Sequence, residues 1–401
     1  MANVMIIGAG ITGVTTAYAL AKAGHDVTVL DRHRYPAMET SFANGGQLSA
    51  SNAEVWNSWS TVMKGLGWMM RPSAPLLVNP KPSWHKLSWM AEFCGEIRHH
   101  DAHTVETARL AIAARQHLFR IAEEEGIDFD LERRGILHVY HDERTFRAAA
   151  KGNELLLAAG LERYAVSAEE ARAIEPALTG PLYAGFYTPS DCTGDIHKFT
   201  RGLAEACERL GVVFRQDCDV EHIEPGTDAV RITLAGPEAE VLLCDRLVVC
   251  AGVASRKFAS SVGDRVNIYP VKGYSITVML HDEASQKAAP HVSLLDESAK
   301  IVTSRLGPDR FRVAGTAEFN GYNRDIRNDR IAPLIEWSRK LFPNMETDVV
   351  VPWAGLRPMT PSMMPKVGPG RHPRILYNSG HGHLGWTLSA ATAEMLSAQV
   401  H

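Results

Sequence analysis

No C-x-x-C pair occurs in this sequence of 401 residues, and its six cysteines (Cys94, Cys192, Cys207, Cys218, Cys244 and Cys250) are scattered. They read as isolated core thiols in a reducing compartment. No uninterrupted apolar run reaches the roughly 18 residues that a membrane-spanning helix requires. The apolar N-terminus lacks a basic n-region and runs straight into a glycine loop, so it is expected to be a strand and not a signal peptide. A basic stripe is also missing, and the net charge of −4 is near neutral for this length, which argues against a nucleic-acid partner. What remains is ordinary for a globular protein, with 45% hydrophobic and 22% charged residues. The length implies two domains.

The stretch from Val4 to Asp31 organises the chain. An apolar run, Val4-Met5-Ile6-Ile7, leads into Gly8-Ala9-Gly10-Ile11-Thr12-Gly13, then an apolar-periodic segment (Ile11, Val14, Tyr18, Ala21) to Gly24, then Asp26-Val27-Thr28-Val29-Leu30-Asp31. This is a strand, a G-x-G-x-x-G loop, a helix and a second strand in the order of a dinucleotide-binding βαβ unit. Gly8 permits the tight turn, Gly10 admits a pyrophosphate, and Gly13 lets helix and strand pack closely. The helix N-terminus offers N–H groups and a positive dipole end. Asp31, at the end of the second strand, suits an adenosine ribose and would repel a 2′-phosphate.

Beyond a turn at Arg32-His33-Arg34-Tyr35-Pro36 comes Glu39-Thr40-Ser41-Phe42-Ala43-Asn44-Gly45-Gly46-Gln47-Leu48-Ser49. It is too polar for a buried strand, and its residues alone fit either a ligand-facing loop or an exposed one. With this loop in place, the first 50 residues resemble the D-amino-acid oxidase and glycine oxidase superfamily of flavoproteins. The likeness is strongest to the bacterial D-amino acid dehydrogenases, in which an E-T-S-x-A-N-x-G-Q-type loop follows the first βαβ unit. The resemblance implies FAD, which the glycine pattern cannot distinguish from NAD. It places Ser41 and Asn44 near the pyrophosphate and Gly46, Gln47 and Leu48 beside the flavin ring. Ala9, Ile11, Thr12, Arg32 and Gly45 are counted with them as cofactor-binding.

Later segments extend the resemblance. Helix 196 to 210, the strand Val212-Val213-Phe214 and the run Leu247-Val248-Val249-Cys250-Ala251-Gly252 complete a cofactor-domain pattern. In the family, the residue at Val220 holds the adenine through its backbone, and Ala251 and Gly252 lie close to the dinucleotide. Pro270-Val271-Lys272-Gly273-Tyr274-Ser275 follows the dehydrogenase pattern. Gly355-Leu356-Arg357-Pro358 puts a planar, two-pronged donor on a constrained backbone, suited to a carboxylate; in the family this arginine binds the amino-acid carboxylate. Ser362-Met363-Met364-Pro365 replaces the usual D-G-x-P continuation, which leaves the anchor intact and puts the family's substrate preference in question. Near the end, Gly380-His381-Gly382-His383-Leu384-Gly385-Trp386-Thr387 again sets N–H groups at a helix start, here expected to face the flavin's N1–C2=O edge. His381 and His383 lack the companion ligands of a metal site, and no metal is expected.

The resulting fold class is α/β: a Rossmann-like FAD-binding domain of the GR2/DAO type, plus a substrate domain with a mixed, largely antiparallel sheet and helices. The cofactor domain is expected over 1–50, 192–262 and 352–401, and the substrate domain over 51–191 and 263–351. The implied chemistry is oxidative deamination of amino acids, D-amino acids by resemblance, to 2-oxo acids and ammonia by hydride transfer from Cα to flavin N5. Arg357 clamps the carboxylate, Tyr274 adds a hydrogen bond, and His383 stands with them at the reacting end. Electrons pass to a quinone or another non-oxygen acceptor. The alternatives are a glycine, sarcosine or imino-acid oxidase using O2, or the FAD subunit of an opine or hydroxyproline dehydrogenase complex. No cysteine follows Cys250, so a covalent flavin link to a C-terminal cysteine is excluded and the FAD is expected to be non-covalent. Residues 53–93 hold Trp56, Trp59, Trp68, Trp84 and Trp89, with Met63, Met69, Met70, Met90, Lys64, Arg71, Lys81 and Lys86 among them. That composition fits pocket lining and packing, or a peripheral contact with the cytoplasmic face of the inner membrane by an otherwise cytoplasmic protein.

Overall fold

The computed structural model describes residues 1–68, 75–236 and 240–401. Met69, Met70 and Arg71 of the tryptophan-rich segment, and the side chain of Trp68, lie outside them.

The first strand, β1 (Asn3–Ile7), is followed by α1 (Ile11–Lys22) and β2 (Asp26–Leu30), and β1 pairs in parallel with β2 and with Arg246–Val249. The full sheet runs, edge to edge, Lys366–Pro369, Ile375–Ser379, Arg246–Val249, β1, β2 and Val213–Arg215. Successive side chains of β1 enter different cores. Val4 and Ile6 pack with α1 and Ile196–Arg209, whereas Met5 and Ile7 pack with Val220, Ile232 and Phe258. A parallel sheet covered on both faces therefore reads as continuous apolar sequence.

A second sheet, with nine strands among the described residues, is mostly antiparallel. From one edge its strands are Val350–Met359, Tyr269–Met279, Arg310–Phe319, Ile301–Leu306, Ser293–Asp296, Ile136–Tyr140, Ala184–Thr188 and Tyr164–Ser167, and Leu76–Val78 pairs with the end of Arg310–Phe319. Helix Asn328–Leu341 covers one face, and the other looks toward the first sheet. Val350–Met359 pairs with Tyr269–Met279 along its length. The expected boundary at 352 therefore cuts through a strand of the second sheet, because the ladder hydrogen bonds bind 352–359 to it. Helix His100–Glu125 ends at Gly126 in the left-handed conformation, φ 64°, where only glycine lacks a steric penalty.

The four tryptophans of 53–93 whose side chains are described have different surroundings. Trp89 is buried and donates its indole N–H to the Met359 carbonyl (2.8 Å), and Trp56 stacks on His383 at 4.8 Å between ring centres. Trp59 and Trp84 stand out at 64% and 82% exposure, with Met63 and Leu87 beside them in sequence. Lys86 is no fringe cation: it is buried, and its ammonium caps the carbonyls of Asn79 and Lys81.

Candidate active site

The loops leaving the carboxyl ends of β1, β2, Arg246–Val249 and Ile375–Ser379 meet the inner face of the second sheet around a cavity of about 490 Å³. Open α/β sheets bind ligands at this edge. Gly8 turns at φ 107°, and a Cβ there would lie 2.7 Å from the Cys250 carbonyl oxygen. A Cβ on Gly13 would lie 1.8 Å from the Gly8 carbonyl oxygen. Gly10 differs: its backbone is extended, and a Cβ would touch only Ser41 Oγ at 3.5 Å. The fold itself does not need glycine at 10. What a side chain there would obstruct is the cavity in front of it.

The Ile11 N–H donates to Ser41 Oγ (3.0 Å), and the helical ladder begins with the Val14 N–H to the Gly10 carbonyl (2.9 Å). The intervening N–H groups of α1 are first-turn donors with no helical partner, available to an anion. At the other end of the loop, Asp31 Oδ2 accepts from the Ala9 N–H (2.6 Å) and Oδ1 from the His33 N–H (2.8 Å). These bonds fix the carboxylate at the cavity edge with lone pairs remaining for a ribose. Arg32 also lines the cavity, and its guanidinium is engaged by Glu39.

Gly8, Gly10, Ile11, Thr12, Asp31, Arg32, Ser41, Asn44, Gly45 and Gln47 line the cavity, as do Val220, Ala251, Gly252 and the run from Gly380 to Thr387. Ala9, Gly13, Gly46 and Leu48 do not; they support the wall from behind. Gly46, at φ 70°, would place a Cβ 2.9 Å from Ser304 Oγ, and Leu48 is buried in the core beneath α1. The two histidines of the last loop diverge. His381 turns into the core, where Nε2 meets Thr392 Oγ1 at 2.9 Å, and burial lowers its pKa to about 3. His383 Nε2 lies 3.0 Å from the Asn52 carbonyl, which can only accept a hydrogen bond, so Nε2–H donates to it. Burial takes its pKa to about 4, so the ring is neutral at working pH. Among the described residues one His/acid group brings possible metal ligands together, Glu96, His99 and His103, and none of the three lines the cavity.

Arg357 faces the cavity from the strand Val350–Met359. Its guanidinium lies over Gly273, where a Cβ would come within 2.4 Å, and Nη1 donates to the Thr316 carbonyl (2.9 Å). Burial alone lowers its pKa, to about 10. A buried cation held by one carbonyl is a ready site for a carboxylate.

Tyr274 requires a correction. Alternate residues of a strand point to opposite faces. Tyr274 borders the cavity along with Gly273 and Ser275, but its side chain packs toward Asn328–Leu341 and donates its hydroxyl to Glu318 Oε2 (2.8 Å). Its only O–H is engaged, and a substrate carboxylate, itself an acceptor, finds no donor there.

Three residues that the sequence did not single out line the same cavity as Arg357: Thr316, Glu297 and Lys300. Thr316 (φ 61°) lies in a bulge where the pairing with Tyr269–Met279 slips between Lys272 and Tyr274. Lys300 is also left-handed, at φ 54°, and its ammonium pairs with Glu297 Oε2 at 2.5 Å.

This arrangement is a dinucleotide cradle joined to an anion-binding pocket. A profile described as FAD dependent oxidoreductase, the DAO family, matches residues 3–399. The chain belongs to that family, and its cofactor is FAD. The chain is 61% identical over 401 residues to "D-amino acid dehydrogenase 3" of Mesorhizobium japonicum, covering all of this chain and 97% of the relative. It is 41% identical to a D-amino acid dehydrogenase of Dechloromonas aromatica, covering 99% and 96%. Its fold matches the crystal structure of glycine oxidase from Geobacillus kaustophilus, with a TM-score of 0.78 at 19% identity over 99% and 93% of the chains.

Proposed function

We propose that this FAD-dependent oxidoreductase dehydrogenates D-amino acids to imines, which hydrolyse to 2-oxo acids and ammonia, and passes the electrons to a quinone or another non-oxygen acceptor. One observation supports the amino-acid half most directly: Arg357 is a buried guanidinium on the wall of the cofactor cavity, held by one carbonyl. The D configuration rests on the names of the relatives.

In this reading the N–H groups of α1 and the Ser41 hydroxyl hold the pyrophosphate, Asp31 holds the ribose, and the Gly382–Leu384 turn with helix Gly385–Ser397 faces the flavin. Bound FAD supplies the hydride acceptor. Arg357 fixes the substrate carboxylate, and with it the direction of the Cα–H bond. His383, neutral and stacked on Trp56, closes the pocket without adding charge. The substrate amine must be neutral to release hydride, so the reductive step rises with pH. Anaerobic flavin bleaching with both enantiomers of each amino acid, with proline and with sarcosine, tests the assignment. Bleaching by L-amino acids or sarcosine alone would replace it.

The exposed Trp59, Met63, Trp84 and Leu87, with Lys64 and Lys81 exposed near them, support a peripheral contact with an anionic membrane surface near the acceptor. No helix among the described residues is long and apolar enough to cross a membrane. Co-flotation with anionic vesicles, lost in a Trp59→Ser/Trp84→Ser variant, is the expected result; equal flotation of both proteins excludes this face.

A further inference from the structure

We infer that Glu297 and Lys300 form the side-chain subsite of this cavity and favour D-amino acids whose side chains carry neutral hydrogen-bonding groups. The inference rests on the reading of Arg357 as the carboxylate anchor and names the substrate class beyond it.

Both residues belong to the turn at 297–300, between Ser293–Asp296 and Ile301–Leu306, and both line the cavity that Arg357 lines. The turn is rigidly set. Asp296 Oδ1 accepts from the Ser298 N–H and hydroxyl and the Ala299 N–H (2.8, 2.7 and 3.0 Å). Its Oδ2 is held by Trp337 Nε1 (2.9 Å) and His141 Nε2 (3.0 Å). Behind the turn, His138 Nδ1 lies 3.3 Å from Glu297 Oε1, and its Nε2 lies 3.0 Å from Ser51 Oγ.

Strain marks the same place twice. Ile301 pairs with Gly315, which brings the two left-handed residues, Lys300 and Thr316, side by side on neighbouring strands. Positive φ at a β-branched residue is an outlier that persists only where the surroundings impose it, and such outliers and bulges gather at functional sites. Here each has a visible effect. The Thr316 bulge turns its carbonyl onto Arg357. The Lys300 turn directs its side chain, half exposed, into the cavity beside Glu297.

The charges decide what fits. Arg357 awaits an anion, and a substrate carboxylate neutralises it. Lys300 and Glu297 already neutralise each other. An apolar side chain would strip water from that ion pair and return no hydrogen bond. A charged side chain would have to displace one partner and strand the other. An amide or hydroxyl can donate to Glu297 and accept from Lys300 together, leaving the pair intact.

The test is anaerobic stopped-flow flavin reduction with the holoenzyme, comparing D-asparagine with D-leucine, which is close to it in size. The expected kcat/KM ratio favours D-asparagine by about tenfold or more. Glu297→Gln leaves a lone cation and should move preference toward D-aspartate. Lys300→Met leaves a lone anion and should move it toward D-lysine. Each shift should be about tenfold relative to D-alanine. A merely structural pair would lower all substrates together and show no opposite shifts. Preference for D-leucine, or unchanged ratios in both variants, overturns the inference. If a variant loses its flavin, the wild-type ratio decides alone. Reduction by D-alanine without these preferences sinks only the subsite, whereas no reduction by any D-amino acid sinks the proposed function itself.

Discussion

Replacing Arg357 by Met should make the ligand-free protein more stable and the enzyme worse. A guanidinium held at about 10 instead of 12.5 carries a desolvation cost of about 3 kcal/mol. The sign follows from the direction of the shift. The depressed pKa of a cation penalises the fold at every pH below about 10 and relents only above it. Met is close in length, fits over Gly273 and carries no charge. Removing buried charge in favour of a well-packed apolar side chain is often stabilising by about 1–4 kcal/mol. Against this stands the single hydrogen bond to the Thr316 carbonyl, worth about 1–3 kcal/mol when it leaves an acceptor unpaired. The net expectation is a gain of about 1 kcal/mol, seen as a small rise in the melting temperature of the substrate-free holoenzyme.

Binding moves the other way. Truncating one partner of a buried charge pair costs about 2–5 kcal/mol, and at about 3 kcal/mol the KM for D-alanine rises about 150-fold. Arg357→Lys retains the charge without the planar fork and should fall between. Flavin fluorescence during thermal unfolding and anaerobic reduction kinetics give the two numbers on one sample. A KM within about threefold of wild type, or a melting temperature that falls as KM rises, would show that Arg357 is a structural cation, and the carboxylate anchor would have to be sought elsewhere.

The glycine loop separates ligand from fold. Gly10→Ala should fold and purify with little flavin, whereas Gly13→Ala, whose Cβ meets the Gly8 carbonyl at 1.8 Å, should not fold stably; flavin content per folded chain, by absorbance and circular dichroism, distinguishes them. Tyr274→Phe should leave KM within about twofold, yet lower stability by about 1–3 kcal/mol by leaving Glu318 short of a donor. A large rise in KM would return the hydroxyl to the substrate. His141 is raised above its usual 6.5 by its bond to Asp296, partly offset by burial. Its contribution is full below about 6.5 and disappears as pH rises through the raised value. The melting temperature should therefore drop across that window in wild type and not in His141→Gln.

The parts of this site legible in the sequence are those fixed by neighbours in the chain. Gly8, Gly10 and Gly13 act within one turn and its helix, and Asp31 follows them at the length of one βαβ unit. Arg357 is legible because a glycine and a proline on either side constrain its own backbone. Tyr274 fails for a different reason. Alternation along 270–276 divides Lys272 and Tyr274 from Gly273 and Ser275, but which pair faces the cavity depends on where Arg357 lands in the neighbouring strand, 84 positions after Gly273. The tryptophans of 53–93 show the same dependence on partners: composition cannot tell Trp89, buried and met by the Met359 carbonyl, from Trp84, 82% exposed. Thr316 and Lys300 lie beyond any local reading, because a positive φ leaves its mark in sequence only when the residue is glycine, asparagine or aspartate. Imposed left-handed turns at a threonine and a lysine are written in the strands around them. The residues proposed to hold the flavin could thus be read from the chain, while those proposed to choose the substrate emerge only after the second sheet has formed.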